Sequence, residues 1–244
     1  MAQVTKVCGM VAAIALLAVP YASAQAPAPS TSKFFVSVDA GAQLAPRSIT
    51  MGATRTVYDE TATLNASVDV GKGFVPAFAV GYRVFGDVFV GVGVTMFSNT
   101  GDSAYTASIP DPLFFNRNKT VSGTVTGLEH KETAILPTIS YARPLTDKID
   151  FVGGIGPAII RLRQDTVSSF TVAAGTQNVT VGKATEDGSA TGITASIGLN
   201  YNLTERFAIG GFARYAGAKV ALPSFADKQN VGGMQAGGGL RINF

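Results

Sequence analysis

The sequence predicts an all-β protein, a single closed antiparallel barrel of eight strands that crosses a membrane. Three observations predict it. Eight stretches alternate apolar and polar residues, the connections between them are short and long in turn, and aromatic residues gather at the strand ends beside the short connections. A strand that is apolar on every second residue, in a chain with nothing to cover that face, suits lipid contact.

Residues 1–24 read as a cleaved signal peptide. Lys6 gives a positive start, Val7 to Val19 an apolar run too short to span a bilayer, and Ala22-Ser23-Ala24 a small-residue cleavage site. Cys8 is the only cysteine and lies in this segment without a lipobox, so neither a disulfide nor a thiolate site is expected. Residues 25–32 (QAPAPSTS) form a short flexible leader, and 33–244 the barrel domain. With 19 basic and 16 acidic side chains the net charge is only +3, which gives no footprint for nucleic acid. High glycine (28) with low charge (14%) fits packed strands rather than disorder.

The strands are expected at 33–44, 74–85, 88–98, 133–143, 149–162, 191–203, 207–216 and 233–244. In 191–203, Ile193, Ala195, Ile197, Leu199, Tyr201 and Leu203 share one face, with Thr194, Ser196, Gly198, Asn200 and Asn202 on the other. In 33–44 the apolar face runs from Phe34 to Leu44, and in 88–98 from Val88 to Met96. Gly86-Asp87, Pro144–Lys148 and Thr204–Arg206 are hairpin turns. The other connections, 45–73, 99–132, 163–190 and 217–232, are long, so the short turns belong in the periplasm and the long loops outside. Phe34, Tyr82, Tyr141, Phe151, Tyr201, Phe207 and Phe244 then fall at one level as a periplasmic aromatic girdle.

This layout resembles the eight-stranded outer-membrane barrel superfamily of OmpA-, OmpX- and OmpW-type barrel domains. The resemblance covers 33–244 and rests on the signal peptide, the alternating segments, the loop asymmetry and the terminal Leu240-x-Ile242-x-Phe244. It implies that Leu240, Ile242 and Phe244 form the signal read by the barrel-assembly machinery. No peptidoglycan-binding segment follows the barrel, so an OmpA-like cell-wall role is not implied.

An eight-stranded lumen admits its own side chains or one small ligand. Alternation points Asp39, Gln43, Arg83, Asp150, Asn200, Arg214, Gln235 and Arg241 inward. Asp39, Arg83, Arg214 and Arg241 are the expected polar network, with Asp39 against Arg241 because first and last strands meet on closure. Two readings stand, a salt-bridged plug or a solute path. Inward glycines with Phe85, Phe89 and Phe97 also allow either an apolar tunnel or rings that fill the space. Pro76, Pro137 and Pro157 each delete a ladder donor, which reads as a bulge or as a weakened lateral seam.

Chemistry is sparse. His130 is the single histidine, expected at the outer rim, and no serine stands on its strand face as a nucleophile. No His/Cys/Asp spacing suggests a metal, and Gly153–Gly156 has no helix behind it to cradle phosphate. Arg161 and Arg163 are expected outward at the rim with Lys131 near, as lipopolysaccharide contacts or as a solvated edge. The expected function is a structural or surface-interaction barrel, non-enzymatic and without cofactor. The alternative is binding or passage of a small apolar molecule through the lumen or a lateral seam, and a lipid-modifying enzyme comes third. Its expected partners are outer-membrane lipid, lipopolysaccharide and the assembly machinery.

Overall fold

A computed structural model describes residues 32–173, 178–225 and 227–244. The expected signal peptide, and all of the leader except Ser32, lie outside the described residues. The strands are β1 (Phe34–Gln43), β2 (Arg47–Val57), β3 (Glu60–Val70), β4 (Gly73–Phe85), β5 (Val88–Pro110), β6 (Asn118–Pro144), β7 (Ile149–Val172), β8 (Val179–Asn202), β9 (Phe207–Val220) and β10 (Gln229–Asn243). All pairings are antiparallel. β1 joins β10 on one side and β4 on the other, and β5 joins β6, so eight strands close a ring. Closure leaves no unpaired edge, the condition for a backbone to cross lipid.

The ring is the one the alternation predicts, but its strands do not stop where lipid contact ends. β5, β6, β7 and β8 run 23 to 27 residues, against about 9–11 needed to cross a bilayer. The stretches 99–132 and 163–190, expected as loops, are mostly continued strand. The stretch 45–73 is also not a loop, because β2 and β3 form a hairpin through a tight turn at Tyr58-Asp59. Both turn residues have positive φ, 52° and 61°, the geometry whose twist matches a two-residue hairpin. β3 then pairs with the upper part of β5, Thr63 opposite Ser108 through Val68 opposite Ser103.

These extensions enclose an apolar core of their own. Ile49, Met51, Leu64, Val68, Val70, Phe97, Ile109, Leu128, Val167 and Phe170 are all buried in it. The hairpin reaches across to β7, where Arg55 donates to the Phe170 carbonyl at 3.0 Å. Burial of each large side chain of this kind is worth roughly 1.5–3 kcal/mol, which is why these polar-rich stretches order as sheet.

Two expectations about side-chain placement need correction, Phe85 inward and His130 at the outer rim. Phe85 is exposed, because a bulge between Arg83 and Phe85 shifts the register and turns its ring out at the hairpin. His130 is not at a solvated rim but 1% exposed, since β6 continues upward and keeps its parity.

The prolines have separate explanations. Pro76 lies one residue beyond the end of the β4–β5 ladder, where no donor is needed on that side. In the β6–β7 ladder, pairing stops after Ile135 opposite Ile159 and resumes at Ile139 opposite Ile155, and that register sets Pro137 against Pro157. The strands do not part there. A Cβ on Gly156 would sit 1.9 Å from the Pro137 carbonyl oxygen, so the bonds are missing but the backbones touch. Gly156→Ala should therefore push β6 from β7 and cost about 2 kcal/mol. The measurement is the folded fraction against denaturant, read by the heat-dependent shift in gel mobility, and an unchanged midpoint would contradict the close approach.

Candidate functional site: the barrel interior and its plug

The interior is built in three levels. At the turn end the Arg241 guanidinium lies 3.8 Å from the centre of the Phe35 ring and 5.4 Å from Phe89, and Arg83 lies 5.0 Å over Phe89. Such cation–π contacts hold a charge among rings. Gly81 makes room, since a Cβ there would lie 2.3 Å from the Phe35 ring. Here rings occupy the volume that glycine leaves.

The middle level holds Asp39 and Arg214. Ser37 donates to Asp39 at 3.2 Å, and Arg214 donates through Nε and a terminal nitrogen to Gln235 Oε1 at 3.1 and 2.9 Å. The expected contact between Asp39 and Arg241 does not form among the described residues. The register sets Arg241 opposite Ser37 and Asp39 opposite Gly239, and Arg241 instead stacks on Phe35 while its Nε donates to Asn243 at 3.0 Å. The four expected network residues thus divide between two levels, Arg83 with Arg241 below and Asp39 with Arg214 above. Between these levels is a cavity of about 160 Å³ bordered by Ser37, Asp39, Thr138, Ser196, Asn200 and Arg214. Phe35, Leu136, Ile197 and Phe212 complete its wall, and a space of that size has room for a few ordered waters beside its polar groups.

The upper level is a buried charged cluster that the sequence reading did not assemble. His130 Nε2 lies 2.7 Å from Glu132 Oε1, and its Nδ1 is hydrogen-bonded to Gln164 Oε1. Gln164 is held in that orientation by its own donation to the Asp165 carbonyl at 2.9 Å. Arg47, from the start of the hairpin, donates to Glu132 Oε1 at 2.6 Å and to the Asn230 carbonyl at 2.9 Å. The Gly232 amide donates to Glu132 Oε2 at 2.9 Å, and Gln43 donates to the Gly232 carbonyl at 3.2 Å. The cluster ties β6, β7, β10, the end of β1 and the start of β2. Burial alone would raise the Glu132 carboxyl, but the His130 hydrogen bond and the Arg47 charge outweigh it and hold the group below its usual value near 4.5.

This geometry stores charge and offers no nucleophile. Both nitrogens of His130 are spent on Gln164 and Glu132, with no hydroxyl between them, and the cluster is covered by the upper apolar core. Among the described residues no group of His, Asp and Glu is placed to hold a metal.

On the outer wall, Phe34, Tyr82, Tyr141, Tyr201, Phe207 and Phe244 are exposed toward the turn end and Phe151 is partly buried. Phe34 and Phe244 lie 5.9 Å apart. Leu240 is exposed on β10 while Ile242 is partly buried. Above the apolar band, Lys131 stands opposite Arg163 and Thr133 opposite Arg161, with Lys131 paired to Glu129 at 2.5 Å. The signal that would have found the upper cluster is parity. His130 and Glu132 continue the inward positions of Ala134 and Leu136, and Gln164 those of Ile160 and Leu162.

A closed ring with an apolar outer face and charged and polar groups in its interior defines a transmembrane β-barrel. A family model described as outer membrane protein beta-barrel domain matches residues 12–244, and the chain belongs to that family. Its membrane is the bacterial outer membrane, with short turns in the periplasm and the long extensions outside. No curated protein matches the sequence. Among solved structures the chain is similar to Neisserial surface protein A, at 16% identity and a TM-score of 0.48, over 86% of this chain and 97% of that one. It is similar to OprG of Pseudomonas aeruginosa at 12% identity and 0.44, over 87% and 96%. It is also similar to the outer membrane protease OmpT of Escherichia coli at 8% and 0.43, over 89% and 98%.

Because Glu132 is held low, it stabilises the fold above its usual titration range and loses that contribution as pH falls through the folded value. Thermal stability in detergent should therefore fall from about pH 5 downward. Glu132→Gln should cost about 3 kcal/mol at neutral pH by stranding Arg47 and His130, and should flatten the acid limb. An acid limb unchanged in the variant would assign the loss to other groups.

Proposed function

We propose that this protein is a non-enzymatic surface-interaction barrel, sealed through its lumen, whose extracellular extensions form a solid platform. The observation that carries this reading is the second core. Four strands of 23 to 27 residues continue past the lipid and close over an apolar interior with the β2–β3 hairpin. Such an investment of ordered residues outside the membrane suits docking, whereas an open pore would need a continuous wet path. The plug of Arg47, Glu132, His130 and Gln164 lies across the lumen below that core, and neither level presents a reactive group to substrate.

The remaining assignments complete the reading. Residues 1–24 act as a cleaved export signal and 25–32 as the leader to the barrel of 33–244. Leu240, Ile242 and Phe244 serve as the ending engaged by the barrel-assembly machinery. The six aromatic residues Phe34, Tyr82, Tyr141, Phe151, Tyr201 and Phe207 anchor the periplasmic interface. Arg161 and Arg163, exposed at the upper edge of the lipid band with Lys131 opposite Arg163, meet lipopolysaccharide phosphates, for which a guanidinium is a bidentate partner.

A second reading, lateral binding of a small apolar molecule, is favoured by one observation, the unbonded β6–β7 positions around Pro137 and Pro157. Amide hydrogen exchange separates the two. Strong protection on both sides of the prolines leaves the sealed platform alone, while rapid exchange confined to them supports a seam.

The platform reading predicts no steady conductance for the protein in planar bilayers. It also predicts that cells displaying it bind coated or cellular surfaces. That binding should be lost when the hairpin 47–70 and the distal part 103–125 are replaced by short turns. Unchanged binding by correctly inserted trimmed protein, or channel currents from the intact one, would refute it.

A further inference from the structure

The distal tip of the platform carries an apolar cluster that nothing in the fold uses. Between β5 and β6, Leu113, Phe114 and Phe115 are 82%, 56% and 76% exposed. The tip is separated from Met96, the last lipid-facing residue of β5, by roughly 45 Å of strand at about 3.3 Å per residue. These side chains are therefore out of reach of the membrane that holds the barrel. Contiguous large apolar residues at a surface mark a contact with a protein or a membrane.

The tip is also held in place. The Asp111 amide donates to the Arg117 carbonyl at 2.7 Å, closing the loop. Asp111 accepts from the Leu113 amide at 2.9 Å, and Glu60 on the neighbouring hairpin accepts from the Asn116 amide at 2.8 Å. These donors are satisfied within the protein, so the loop can enter a medium of low polarity without leaving them unpaired. Arg117 lies 5.5 Å over the Phe114 ring, and Lys119 follows just behind the tip. Asp59, Glu60 and Asp111 balance Arg55, Arg117 and Lys119, which leaves no net charge to select a polyanion.

We propose that Leu113, Phe114 and Phe115 insert into the interface of an apposed zwitterionic lipid bilayer, with Arg117 and Lys119 reaching its phosphates. The proposal rests on the platform reading and names the partner class of that same surface. A convex apolar tip with cations directly behind it matches the order of layers met on entering a bilayer, acyl boundary first and phosphate level second. A protein groove would accept the rings equally but gives no reason for the neutral charge balance.

The test uses full-length protein in immobilised nanodiscs, with empty nanodiscs as reference and phosphatidylcholine vesicles as the probe. The wild type should retain vesicles, and the triple substitution Leu113→Ser, Phe114→Ser, Phe115→Ser should reduce retention about tenfold or more, since burying even one phenyl ring is worth a decade of affinity. Added phosphatidylglycerol should change retention by about twofold at most, because opposed charges at the tip cancel. No retention by the wild type, equal retention by the triple variant, or retention only of anionic vesicles each overturns the proposal. The triple variant is compared for heat-dependent gel mobility, so a folding defect is seen directly. Cell binding that needs the platform but survives in the triple variant, with no vesicle capture, overturns the bilayer assignment and leaves the platform reading standing.

Discussion

A strand has two faces and a period of two, and in this protein lipid sets which residues take which face. Ile135, Ile139 and Tyr141 of β6 face outward because acyl chains lie there, so Ala134 and Leu136 face inward. Nothing resets that parity at the membrane surface. Glu132, His130 and Leu128 therefore inherit the inward side, and Lys131 inherits the outward one. The buried cluster and the core above it follow from a choice made by the bilayer several residues below.

Parity is released only by a device that inserts a residue. On β6 this occurs at Gly127, with φ of 67°, where the register against β5 shifts between Gly101 and Ser103 and Asp102 accepts the Gly127 amide at 3.0 Å. Beyond it, Val125 rather than an even-numbered residue is buried. β7 has a corresponding shift between Val167 and Ser169. Bulges of this kind raise local twist and bend a sheet, which lets the upper strands turn inward over the hairpin and close the second core. The charged cluster sits below both bulges, at the junction of the two storeys.

The barrel was legible in the sequence because lipid demands bulky apolar residues on a whole face, as along Ile193, Ile197 and Leu199. The second storey was not, for an opposite reason. Ala62, Leu64, Ala66, Val68 and Val70 alternate with Thr63, Asn65, Ser67 and Asp69 as cleanly as any membrane strand. Their outer face meets water, so polar and small residues dominate and the stretch resembles a loop in composition. His130 and Glu132 are visible as residues but not as a pair, because the alternation predicts this strand only from 133 onward. Arg47 could not have been placed there at all, because its approach depends on how the hairpin folds over the ring. Asp39 and Arg241 show the converse limit. Their strands are neighbours as closure requires, yet a stagger of one dyad step and the Phe35 ring decide which contact forms.

The cysteine-free sequence after Cys8 allows parity to be read directly. Single cysteines placed one at a time from Leu128 to Thr133 in the reconstituted protein can be probed with a membrane-impermeant maleimide. Reaction at positions 129 and 131, with protection at 128, 130 and 132, is the predicted result. Equal labelling at neighbouring positions would mean that this stretch is an open loop, and the sealed two-storey column would not exist.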